Sequence, residues 1–104
     1  MAISNEPWSK FSAADYSDAQ WIEACLINMN KPSEHVKGLC KLPVKEPDGN
    51  VNRNGVHAAA ARLAGAGGGV MAPAAVKKAA AKKLLGYYRQ MGETPPESIV
   101  RMAQ

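Results

Sequence analysis

The chain has 104 residues and a formal charge of +4, which suits one domain with a thin core. Its cations are too sparse for a dedicated nucleic-acid arm, and no apolar run approaches the ~18 residues of a membrane-crossing helix. The opening residues lack a basic stretch followed by an apolar one, so no signal peptide is read there.

Aromatic residues make up only 6%. Trp8, Phe11, Tyr16 and Trp21 cluster near the start, and Tyr87 and Tyr88 are adjacent. The middle of the chain must therefore bury alanine, leucine, valine and methionine, which contribute little area per residue. Modest intrinsic stability, supplemented by a partner or by self-association, is the expectation. Cys25 and Cys40 are not spaced as C-x-x-C, and reduced thiols in an intracellular setting are the default.

In chain order, residues 1–16 show no clean periodicity and read as an arm. Its Trp8 and Phe11 either cover the domain's own core or anchor the arm to a partner. Ser17 with Gln20 forms an S-x-x-Q capping box. It predicts a helix from about Asp18 to Asn28, with Trp21, Ile22, Cys25, Leu26 and Met29 on one apolar face. Pro32 opens a second short helix that ends near Gly38. Residues 39–53 read as an extended Pro-rich segment, because Pro43 and Pro47 disfavour helix at the residues before them. The two prolines leave room for an edge strand and argue against a central one. Asp48-Gly49 makes a turn.

Asn54 is the expected cap of a helix from Gly55 to about Ala64, whose HAAAARL interior favours helix strongly. Gly65 should end it in the left-handed conformation. A glycine hinge over 65–72 follows, and Pro73 opens the longest helix, to about Met91. Val76, Ala80, Leu84, Tyr87, Tyr88 and Met91 share its apolar face, whereas Lys78, Lys82 and Arg89 share another. Gly92 terminates it. Thr94 with Glu97 predicts a capped last helix with Pro95 at its first position.

No chemistry-bearing constellation emerges. The glycines 65–69 lack the lysine and hydroxyl residue that a Walker loop requires immediately afterwards. They read as a helix cap and hinge. Among Cys25, His35, Cys40 and His57, only His35 and Cys40 have the close spacing of paired zinc ligands. No serine or cysteine sits in a recognisable nucleophile context. The expectation is a non-enzymatic protein with no cofactor and no metal. The cations Lys77, Lys78, Lys82, Lys83 and Arg89 are either a solvated helix face or a track for phosphates or an acidic protein surface.

The segments Lys41-Leu42-Pro43, Glu46-Pro47-Asp48-Gly49, Gly55-Val56, Ala58 to Ala61, Gly65 to Val70, Tyr87-Tyr88-Arg89 and Pro95-Pro96-Glu97 together carry a resemblance over about residues 38–98. In this order they resemble a small module of tailed-bacteriophage head genes, found in the C-terminal region of prohead proteases and in short phage proteins. The resemblance assigns no catalytic residue. It implies a role in or on the phage head. The expected protein is thus a minor capsid, cement or decoration protein that binds the major capsid protein, with self-association open. It would reside in the host cytoplasm during assembly and in the virion afterwards, without membrane contact. The alternative is a small basic nucleic-acid-binding or host-directed regulatory protein.

The fold expected from these readings is all-α: three main helices plus short ones, an N-terminal arm and an extended middle arm. Trp8, Phe11, Leu42, Val44, Lys78, Lys82, Lys83 and Arg89 are the candidate partner contacts.

Overall fold

In the computed structural model, which describes residues 2–104, eight regular elements occur in the order β1 (Ile3–Ser4), α1 (Asp18–Ala24), β2 (Cys25–Asn28), β3 (Cys40–Pro43), β4 (Val51–Asn52), α2 (Arg53–Leu63), α3 (Ala74–Met91) and α4 (Glu97–Ala103). Helix accounts for 53% of residues and strand for 13%, so the fold is mixed α/β and the all-α expectation is wrong. Two small sheets form. β1 pairs with β4 in parallel, and β2 pairs with β3 antiparallel, placing Cys25 opposite Pro43 and Ile27 opposite Lys41.

The first helix begins as the sequence predicts. Ser17 Oγ accepts from the Gln20 amide at 3.1 Å, and Gln20 Oε1 accepts from the Ser17 amide at 2.8 Å. It ends four residues early, because Cys25 turns extended (φ −90°, ψ 142°). The apolar run Cys25-Leu26-Ile27 then continues as strand, with Leu26 and Ile27 both buried. A short apolar run buried on both faces has no period that separates helix from strand, and pairing with β3 decides the matter.

The expected helix after Pro32 is also absent. That stretch holds a turn and one 3₁₀ turn, Lys37–Leu39. Asn30 closes it, accepting from the Val36 amide at 2.8 Å and donating to the Val36 carbonyl at 3.1 Å.

The middle segment is extended as predicted but is no free arm. Leu42 and Val44 are buried in the main apolar cluster beside Ile27, Val51 and Val56. Leu42 itself adopts φ 63°, a left-handed conformation rare for a branched side chain. The strand bends there, immediately before Pro43.

Residues 2–16 are likewise folded onto the domain; Met1, the first residue of the expected arm, lies outside the described residues. β1 pairs with β4, Tyr16 is buried, and its hydroxyl donates to the Lys45 carbonyl at 2.6 Å. The radius of gyration is 12.9 Å, matching the ~13 Å of a compact chain this long and leaving no room for a projecting arm.

α2 is capped by Asn52 rather than Asn54: Asn52 Oδ1 accepts from the Gly55 amide at 2.8 Å. Gly65, Gly67, Gly68 and Gly69 all take positive φ, which explains why the α2–α3 connection is glycine-rich. α3 ends at Gly92 (φ 69°) as expected. α4 starts two residues later than predicted, after Pro96 and without a side-chain cap, so the Thr94–Glu97 box does not form. Ile99 and Ala103 bury α4 against α3.

One surface cluster ties three parts of the chain together. Glu93, just beyond α3, pairs with Arg53 and lies 2.7 Å from His57 Nε2. Arg53 Nε also donates to Asn5 Oδ1 at 2.8 Å. The His57 hydrogen bond, then that from Arg53, holds the Glu93 carboxyl below its usual range. The cluster therefore stabilises the fold above the carboxyl's unfolded pKa, and its contribution fades as pH falls through the lower folded value.

Candidate functional site

Two surfaces remain once the core is accounted for: an open groove walled by both tryptophans, and the cationic side of α3.

The groove has a volume of about 500 Å³, within the ~300–1,000 Å³ usual for ligand sites. Trp8 forms one wall, placed by the 3₁₀ turn that follows Pro7. Its indole lies flat on the first turn of α2. A Cβ at Gly55 would stand 3.1 Å from three of its carbons, so the missing side chain lets the ring approach. Phe11 tilts against it with ring centres 5.9 Å apart.

Trp21 on α1 forms another wall. Its ring N–H donates to the Lys37 carbonyl at 3.1 Å, and it meets Tyr16 edge-on at 5.0 Å. Cys40 to Pro43 of β3, Ala58 and Ala59 of α2, and Gly69 and Val70 complete the lining. Met71 stands on the rim at 88% exposure, conspicuous for a large apolar side chain in a chain with so few of them exposed. Lys41 and Arg62 are the charged lining residues. Among the described residues neither makes an ion pair.

α3 carries Lys77, Lys78, Lys82, Lys83 and Arg89 and no carboxylate in its 18 residues. Lys83 is partly used inside the fold, donating to the Leu26 carbonyl at 3.1 Å. Lys78, Lys82 and Arg89 are exposed, and their spacings of four and seven put them on one side. Among the described residues they too lack ion pairs.

The predicted contacts thus divide. Trp8 and Leu42 meet at the groove, where Leu42 is a buried lining residue. Phe11 supports Trp8 from behind and does not line it. Val44 is 1% exposed, so the idea that it lies along a neighbouring molecule is set aside. The cations of α3 line no part of the groove.

Sequence reasoning missed Trp21, Lys41, Arg62 and Met71. Trp21 was absorbed into a helix face. Arg62 lies four residues from Ala58, on one side of α2, which was the available signal. Nothing local marks Lys41.

The thiols are separate and unbridged. Burial, and after it the neighbouring Cys40, push the Cys25 thiol up to about 12. Burial also raises Cys40. Folding should therefore suppress thiolate chemistry: at pH 8, iodoacetamide followed by mass spectrometry should label native Cys25 at least tenfold more slowly than the urea-unfolded chain. A raised folded pKa also means that stability is lost as pH climbs past the ordinary 9.0 towards about 12. Tyr16, which burial raises to about 12, adds to that alkaline limb.

Among the described residues no group of three or more His, Cys, Asp or Glu side chains could hold a metal ion, and no helix is long and apolar enough to cross a membrane. No protein-family model, curated protein or solved structure matches the chain.

Proposed function

We propose that the protein is a non-enzymatic docking module of a tailed-phage head, a minor capsid, cement or decoration protein that binds the major capsid protein through the exposed side of α3. The observation that carries this reading is the charge arrangement of that helix. Lys77 and Lys78 occupy its N-terminal half, Lys78 and Lys82 repel at i,i+4, and the helix holds no carboxylate in return. Each such feature costs an isolated helix a few tenths of a kcal/mol. An acidic partner surface reverses the sign of all of them. The resemblance of residues 38–98 to a phage head module supplies the partner class, and a symmetric shell adds avidity to a weak single contact.

A nucleic-acid partner is the second reading. It is disfavoured because Ala74, Ala75 and Ala79 are the other exposed residues among these lysines, while Tyr88 is buried and Tyr87 half-buried. Small side chains suit close protein contact. A single-strand site would instead offer aromatic stacking platforms.

The test is co-sedimentation with purified proheads and mature heads, followed by cryo-electron microscopy. Wild type should bind in a salt-sensitive manner, and the double variant Lys78→Glu, Lys82→Glu should bind at least tenfold more weakly with unchanged thermal stability. Absence of density from both proheads and heads sinks the proposal. Duplex binding whose affinity falls steeply with salt would favour the second reading.

A further inference from the structure

We infer that the tryptophan-walled groove is a second binding site, which takes an acidic peptide segment carrying one bulky apolar residue. It involves no residue of α3 and does not depend on what α3 binds.

The shape argues for a side-chain anchor. Two indoles and the exposed Met71 surround an apolar floor of Leu42, Ala59 and Val70. Rigid aromatic walls beside a polarisable, unbranched thioether accommodate a variable apolar group. About 500 Å³ holds one large side chain together with the backbone that carries it.

The backbone of β3 narrows the choice of ligand further. Four consecutive residues, Cys40 to Pro43, line the groove, whereas a strand seen face-on would offer alternate ones. The strand therefore meets the groove along its edge, and that edge has no partner in the two-stranded sheet. Regular strand addition is nonetheless blocked. Pro43 has no N–H, and Leu42 is left-handed rather than extended. Main-chain bonds being few, affinity must come from the anchor and from charge.

The charge is one-sided. Lys41 and Arg62 are the charged groups of the lining, both cationic, and neither is neutralised by a carboxylate among the described residues. Carboxylates flanking the anchor complement them, and a basic peptide is repelled.

Trp8 and Trp21 are the only tryptophans in the chain, so indole fluorescence and the two indole N–H resonances report on this groove directly. The probe is a short synthetic peptide with a central phenylalanine flanked by aspartates, titrated beside its lysine-flanked counterpart. The acidic peptide should shift both indole resonances saturably, and the basic one should shift neither. Lys41→Glu with Arg62→Glu should weaken binding about tenfold or more. Lys78→Glu with Lys82→Glu should leave it unchanged. Both pairs alter solvent-accessible side chains, and circular dichroism melts verify the fold.

Failure of the acidic peptide to shift the indoles, equal binding of both peptides, or equal loss in the α3 pair each overturns the inference. None of these results touches head binding through α3, which the sedimentation assay reads separately.

Discussion

Asn52→Ala should lower unfolding stability by about 3 kcal/mol, most of it from a contact that the helix cap does not explain. Asn52 is fully buried, and its amide group works in both directions. Oδ1 accepts from the Gly55 amide, while Nδ2 donates to Glu46 Oε2 at 2.8 Å and to the Glu6 carbonyl at 3.0 Å. Loss of the cap alone costs about 1 kcal/mol. Truncation also removes the donor facing Glu46, which is itself 7% exposed. An orphaned buried acceptor costs roughly 1–3 kcal/mol, more when charged. Against the ~5–15 kcal/mol typical of a domain, that is a large fraction.

The informative companion is Asn52→Asp. Aspartate is an excellent N-cap, so a cap-only role predicts near-native stability. The network predicts otherwise, because Asp cannot donate to Glu46 and sets a second carboxylate against it. Urea unfolding of both variants distinguishes the two. A native-like Asp variant would show the Glu46 contact to be inconsequential.

Ile99→Ala should cost about 2–5 kcal/mol and should act locally first. α4 has seven residues and no side-chain cap, far short of the length at which a helix persists unaided. It is held by the burial of Ile99, at 0% exposure, and of Ala103 against α3. Once the isoleucine is removed, detachment of α4 costs less than it does in the wild type. Hydrogen exchange should then show residues 97–104 opening well below the global unfolding free energy. Val100→Ala, at a half-buried position of the same helix, should change stability by less than about 1 kcal/mol. Equal effects of the two variants would contradict this account.

These two cases show where the sequence speaks and where it is silent. The capping box at Ser17, the alanine-driven α2, the amphipathic α3 and its stop at Gly92 follow from backbone physics within a few residues, and all were legible. The same holds for the acid-free, lysine-bearing side of α3, because helical spacing converts sequence distance into surface position. The cap of α2 was misplaced by two residues because Asn52 and Asn54 are chemically alike. Both also donate to the Glu6 carbonyl, and only the buried donor to Glu46 sets Asn52 apart.

The sheets were illegible for a related reason. Leu26 and Ile27 are buried on both faces, so their strand has no alternation. Its partner Cys40–Pro43 ends in a proline, which argues for an isolated extended segment, and the pairing is a relation between stretches some fifteen residues apart. Similarly, Trp8, Trp21, Lys41, Arg62 and Met71 come from five separate parts of the chain, and no local spacing announces a groove.

By itself, then, the sequence determined the start of α1, the bodies of α2 and α3, the stop at Gly92, the glycine connection and the uncompensated charge of α3, since each depends on neighbours within one or two turns. The tertiary structure alone decided that the two presumed arms are folded in, that Leu42 and Val44 belong to the core, and that two tryptophans face a shared groove. Those outcomes rest on long-range strand pairing and burial, whose free energy arises only when distant segments meet.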